Sequence, residues 1–302
     1  MSRPSLENLS ALHAGATLVF ASWAFGGNLE NVRLPLAIFG SLGVLITVAA
    51  VRERLRTAGR GGLRALHFLW PLLGYDLLVL AGALQPAFTA GIIDGAPVLV
   101  PVTPLTAWPC SAVPADSLRL LWLFNALFLP GFNLLLAVRE RRVLRALIVT
   151  LAVNAVLLAV FGTIQKLSGS HGLFFGTVPS PNRTFFASFI YHNHWGAFSV
   201  LSLAAILGLV FHASSRGGHR DFWHSPAFPT TIASLVLAAA VPLSTSRSCT
   251  ALIALLLMAA FFHGLLKLIR SRRSSGRSLA TPLALLALGV AARDRRAHGG
   301  HA

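Results

Sequence analysis

Charge is what this chain has least of. Only 11% of its 302 residues are Asp, Glu, Lys or Arg, only 9 are acidic, and 55% are hydrophobic. Soluble domains average about 25% charged residues, so an ordinary soluble fold is excluded and an integral membrane protein is indicated. Long polar segments are missing too. The net charge of +16 comes from 25 Lys and Arg residues, but no soluble stretch is long enough to gather them into a basic face, which excludes a nucleic-acid-binding domain. A secretory signal is also lacking: the start holds only Arg3 as a basic residue, and the "FGG" at 25–27 is a poor cleavage site, so the first apolar run is expected to stay as a helix. Cysteine is nearly absent. Cys110 and Cys249 are the only two; both fall on the outward side of the topology below, where a disulfide is permitted, but their separation gives it no support.

What is present is a series of apolar runs close to the length of about 20 residues that crosses a hydrocarbon core. Eight are clear, at 11–25, 32–51, 65–84, 118–138, 146–165, 195–213, 228–243 and 250–269, and a ninth at 279–292 is short enough to be interfacial. The fold class expected is therefore all-α, a polytopic transmembrane helix bundle with about eight or nine spans. Residues 1–277 form the bundle, and 278–302 form a short apolar segment with a basic tail.

Charge sets the orientation. With a cytoplasmic N-terminus, 17 of the 25 Lys and Arg residues fall in the inside connections, including "RERLRTAGRGGLR" at 52–64 and "RERRVLR" at 139–145. The outside connections carry only Arg33, Arg119, Lys166, Arg183 and Arg247, and the long segment 85–117 has no Lys or Arg at all. Trp23, Trp108, Trp122 and Trp195 fall near the outer boundary, where aromatic rings prefer to lie. Topology and anionic headgroups explain the inner arginines without any substrate.

One stretch breaks the apolar pattern. "NRTFFASFIYHNHWGAF", at 182–198, concentrates Arg183, His192, Asn193 and His194 on the outward side. Arg183 and Arg247 run against the inside bias, and a guanidinium offers a bidentate fork to phosphate; the plainer alternative is snorkelling to headgroups. Histidines two apart lie about 200° apart on a helix, so His192 and His194 serve one centre only if the helix begins after them. Asn193 is then a capping residue or a hydrogen-bonding hub, and the whole group can also be read as an interfacial helix start anchored by Trp195. A zinc site lacks a third ligand, a nuclease motif would need a soluble fold, and "NRT" matches a glycosylation acceptor only by letters. Asp76 is the one acid well inside a predicted helix, and intramembrane carboxylates are costly enough to suggest function, whether by pairing with Tyr75, holding an Arg or relaying protons. Asn125, Asn133 and Asn154 suit interhelical bonding.

These residues carry a family likeness. The segment from "FGTIQKL" through "FASFIYHNHWGAFSVL" resembles the middle of the O-antigen ligase and polymerase superfamily of bacterial envelope proteins, with Phe189, Asn193, His194 and Ala197 in register. "PLSTSRSCT" resembles the family's S-x-S-R signature through Ser244, Ser246 and Arg247, and "ASWAFGGN" at 21–28 resembles its Phe-Gly-Gly. The resemblance implies glycosyl transfer without metal or other cofactor at the outer face of a bacterial inner membrane, on a multi-pass protein with a cytoplasmic N-terminus. The donor would be a glycan on a polyprenyl diphosphate; the acceptor would be a lipid-anchored sugar or another glycan. Arg183 and Arg247 would face the diphosphate, His194 and His192 are the candidate bases, and Asn193, Ser246 and Asp76 support them. The family continues past its S-x-S-R helix into a large outward loop bearing a histidine, whereas this sequence stops at Ala302 after "VAARDRRAHGGHA", so an inactive, shortened form is one expectation. The other class kept open is a non-catalytic transporter or lipid-binding protein using Asp76 and the outward arginines.

Overall fold

The computed structural model describes residues 3–58, 64, 66–85, 88–101, 109–215 and 222–274. The chain is mostly helical. Its helices are α1 (Arg3–Trp23), α2 (Glu30–Ser41), α3 (Gly43–Ala58), α4 (Trp70–Ala83), α5 (Pro114–Ala137), α6 (Arg141–Leu167), α7 (His192–Ser215), α8 (Ala227–Leu243) and α9 (Arg247–Ser274). All eight clear apolar runs lie largely on these helices. The ninth run, the tail and Trp108 lie outside the described residues.

Among the described residues, six helices are long and apolar enough to cross a membrane: Glu30–Thr57, Leu66–Ala83, Pro114–Ala137, Arg141–Leu167, His192–Ala213 and Arg247–Lys267. Helix α8 falls just short at 17 residues. Two compact units divide the chain, Met1–Ser246 and Arg247–Ala302.

The first unit has an apolar interior, but it also exposes large apolar side chains and buries polar ones. Leu45, Leu77 and Leu201 are 70%, 67% and 74% exposed, whereas Ser10, Asn133 and Ser199 are each 0% exposed. Lipid accepts leucine as readily as a core does, while an unsatisfied polar group in hydrocarbon costs several kcal/mol, so the polar side chains turn inward. Helix α1 shows this best. It packs on α3, α5 and α6, and its Glu7, Ser10, His13, Thr17 and Ser22 are all buried. Ser10 and Thr17 donate to carbonyls one turn back, and His13 Nε2 reaches the Phe39 carbonyl at 2.9 Å. The Glu7 carboxylate accepts the backbone N–H groups of Arg139 and Glu140 at 3.0 and 2.9 Å, just where α6 begins.

The run at 32–51 is not one straight helix. It breaks at Leu42, between α2 and α3. There the Gly43 carbonyl takes a bond from Asn133 Nδ2 at 2.8 Å, and Thr47 Oγ1 donates to Asn133 Oδ1 at 2.7 Å. A side chain entering the helical ladder beside Gly and Ser is a usual cause of a kink. Just before it, Gly40 lies so close to α5 that a Cβ there would overlap the Ala126 carbonyl.

Segment 85–117 adds a small two-stranded sheet to the otherwise helical fold. It holds an antiparallel hairpin, β1 (Phe88–Ile93) and β2 (Ala96–Pro101), paired from Phe88 with Pro101 to Ile93 with Ala96. Asp94 and Gly95 make the two-residue turn at φ 52° and 79°, both positive as the hairpin turn matching strand twist requires.

Candidate functional site

Three stretches far apart in sequence meet at one end of the first unit. Phe25–Gly27 is a single tight turn with φ of 58°, 67° and 72°, and Gly26 lies against the Phe189 ring, where a Cβ would come within 2.8 Å. Ser188 Oγ donates to the Ser22 carbonyl. From the third stretch, Ser246 Oγ donates to Asn193 Oδ1 at 2.9 Å. Among the described residues, five of the six non-glycine positions at positive φ belong to these parts and to the loop between α6 and α7: Phe25, Phe174, Phe175, Ala187 and Thr245. Such backbone costs of order 1–3 kcal/mol per residue and collects at functional sites when its surroundings enforce it.

Helix α6 supplies the enforcement. It ends in a Schellman motif, with Gly169 at φ 69°, Gly169 N–H bonded to the Lys166 carbonyl at 3.2 Å and Ser170 N–H to the Gln165 carbonyl at 3.4 Å. One turn inside that end, Gln165 is 1% exposed. Its Nε2 donates to the Ala187 carbonyl at 3.0 Å and its Oε1 accepts from Phe175 N–H at 3.1 Å, so one side chain holds two left-handed positions. Gly162, three residues earlier on the same face, leaves the space filled by the Phe186 ring. Asn154, deeper on α6, joins the end of α1, accepting from Trp23 Nε1 at 2.8 Å and donating to Ser22 Oγ at 3.0 Å.

On this platform Arg183 shares a hollow of about 620 Å³ with Lys166, His171 and Phe185. No carboxylate lines it among the described residues. The Lys166 ammonium stands 5.9 Å from the Phe185 ring centre, within cation–π range. Lys166 and His171 are functional candidates that the sequence reading missed. The available signal was Lys166 itself, one of only two lysines and on the outward side.

The loop carrying Arg183 is stapled locally. Ser180 Oγ donates to the Asn182 carbonyl at 2.7 Å. Asn182 Oδ1 accepts both Thr184 N–H at 2.9 Å and Thr184 Oγ1–H at 2.7 Å. A backbone N–H can only donate, which identifies the Asn182 atom as its oxygen; the Thr184 proton is then committed to it. Thr184 Oγ1 lies 2.6 Å from His192 Nδ1 and has only a lone pair left to offer. That arrangement suits the neutral His192 tautomer with its proton on Nδ1, in which Nε2 has the lone pair.

The two histidines do not converge. Helix α7 begins at His192, with the Tyr191 carbonyl accepting the N–H groups of His194 and Trp195 at 3.0 and 3.3 Å. His192 is thus half-buried against Thr184, while His194 is exposed with its ring 5.3 Å from Tyr191. Asn193 lies inside the first turn of α7, and its side chain bonds to Ser246. Arg247, the next residue, is exposed and opens α9 in the second unit. Asp76 stands elsewhere: its Oδ1 accepts from Asn125 Nδ2 at 2.9 Å, and neighbouring Tyr75 packs on Phe124 with ring centres 4.8 Å apart. Cys110 and Cys249 are free thiols. Among the described residues, no three His, Cys, Asp or Glu side chains gather into a metal-binding group.

Compared with known proteins, the chain matches no family model, no curated protein and no solved structure.

Proposed function

We propose that this protein is a multi-pass membrane glycosyltransferase of the O-antigen ligase or polymerase type, acting on a polyprenyl-diphosphate-linked glycan. The observation that carries the reading is the carboxylate-free hollow in which Lys166, His171 and Arg183 stand together. Cations held where a diphosphate leaves stabilise the charge that develops as the glycosidic bond breaks. His192 sits at the other side of the same stapled loop, in the tautomer that accepts the proton of an attacking sugar hydroxyl. The acceptor in this proposal is a lipid-anchored sugar or a second glycan. In this proposal the hollow faces the outer side of a bacterial inner membrane, on a protein of eight or nine spans with a cytoplasmic N-terminus; the positive-inside pattern supports that orientation.

Protein reconstituted in liposomes with the polyprenyl-diphosphate glycan and an acceptor lipid tests this. Lys166→Gln and Arg183→Gln each lower donor retention by about tenfold, as expected for loss of a charge-assisted hydrogen bond worth roughly 1.5–3 kcal/mol, and the double change abolishes transfer. Transfer at the unaltered rate by the double variant overturns the assignment of the hollow. Donor retention with no transfer by the unaltered protein selects the lipid-binding alternative.

A further inference from the structure

A second hollow is lined by residues of α2 and α5, and it differs in kind from the basic one. It measures about 950 Å³, at the upper end of the roughly 300–1,000 Å³ usual for ligand pockets. Its shape follows from residue size along two helices that run side by side. At Gly40 and Ala126 the backbones touch, because a Cβ on Gly40 would overlap the Ala126 carbonyl. Toward both N-terminal ends the facing residues grow to Leu34, Leu120 and Leu123, and the hollow opens between them. From Arg33 to Gly40 the groove runs about 10 Å along the helix, at about 1.5 Å per residue. That is a large part of one leaflet's share of a hydrocarbon core of about 30 Å.

The rim at the open end is charged with both signs. Arg33 and Arg119 line it together with Glu30 and Asp116. Arg119 and Asp116 approach to 3.6 Å with side chains 72% and 62% exposed, a pairing that solvent makes weak. Arg33 spends one donor on a 3.5 Å bond to Asn28 Oδ1, so most of its five donors remain for a ligand.

We infer that this groove seats a zwitterionic phospholipid of the phosphatidylethanolamine type. Its phosphate lies between Arg33 and Arg119, its ammonium lies against Glu30 and Asp116, and one acyl chain lies on the Leu34–Leu120–Leu123 floor. Charge complementarity selects this occupant. A purely anionic headgroup would meet two carboxylates, and a headgroup without phosphate would leave both guanidiniums unused. The basic hollow, which has no carboxylate, suits the opposite chemistry. This inference does not rest on the transfer reading.

The test is photolabelling of the full chain in vesicles of phosphatidylethanolamine and phosphatidylglycerol. The probe is a phosphatidylethanolamine carrying a diazirine on its acyl chain, and labelled peptides are mapped by mass spectrometry. Label is expected on peptides containing Leu34 and Leu120 to Leu123. Unlabelled phosphatidylethanolamine is expected to compete about fivefold better than phosphatidylglycerol, the gain from one or two exposed ion pairs. The variant E30Q/D116N removes that preference and keeps the labelling, whereas R33Q/R119Q lowers labelling itself. Ala37 also lines the hollow, and Ala37→Phe fills the floor and excludes the chain without altering any charge. Lys166 and Arg183 variants that lose glycan transfer leave the labelling unchanged, which separates failure of the transfer reading from failure of this one. Label spread evenly over all lipid-facing helices, or equal competition by the two lipids, overturns the inference.

Discussion

Replacing Gln165 with leucine keeps the side chain's bulk and deletes both of its hydrogen bonds. The Phe175 N–H and the Ala187 carbonyl then lose their partner beside a buried position, at about 1–3 kcal/mol each, or roughly 2–4 kcal/mol together once water reaches one of them. Every 1.4 kcal/mol is about a tenfold change in an equilibrium, so local opening of residues 171–190 should become about 30- to 1,000-fold more frequent. The direction is set by backbone strain, since Phe175 and Ala187 sit at φ 59° and 53° and an opened loop lets both relax. Hydrogen–deuterium exchange in lipid nanodiscs reads this directly. The amides of Leu173, Val178, Phe186 and Phe189, each bonded across the loop, should lose protection while the interior of α6 keeps its own. Unchanged protection at those four amides would falsify the clamp, and equal loss throughout α6 would show that the variant had simply unfolded.

Thr184→Val breaks the link from Asn182 to His192 and leaves the histidine tautomer unset. Under the transfer reading this should lower kcat by at least about tenfold, within the 10²–10⁴-fold that a general base contributes, with KM unchanged and recovery in Thr184→Ser; a fall in substrate affinity alone would count against the relay. Gly40→Val should push α2 away from α5, with a cost of about 1–3 kcal/mol expected for overpacking and visible as a lower thermal midpoint in detergent, and an unaltered midpoint would refute the close approach. Asp76→Asn should be tolerated in folding and in glycan transfer, because an amide oxygen still accepts from Asn125. Loss of activity in that variant, accompanied by proton-coupled uptake in the unaltered protein, would revive the transporter reading.

The helices were legible because a membrane span announces itself by length and apolarity, a signal that needs no partner to interpret. The hairpin is marked in the sequence only by Asp-Gly between two apolar stretches, and strands of six residues are too short to stand out in so apolar a chain. The site was half legible. Arg183 stood out by running against the charge pattern, and Asn193 with Ser246 proved to be a contact across the unit. Residue type and spacing give no angle between side chains, so the separation of His192 from His194 had to come from the point at which α7 starts. Lys166 and His171 join Arg183 only through the fold of the loop after α6, and no local pattern in the sequence encodes that convergence. Asp76 and Asn125 were each noticed, but their pairing depends on how α4 lies along α5.

The buried polar face of α1 has a consequence for how the chain is made. Glu7 depends on backbone groups of Arg139 and Glu140, and Ser22 on Asn154. At about 5–20 residues per second, α1 leaves the ribosome on the order of ten seconds before those partners exist. During that interval a helix bearing Glu7, His13 and several hydroxyls faces lipid, or the insertion machinery, without the groups that later satisfy it. Helix α1 can thus settle only after the start of α6 has been made, well after its own synthesis.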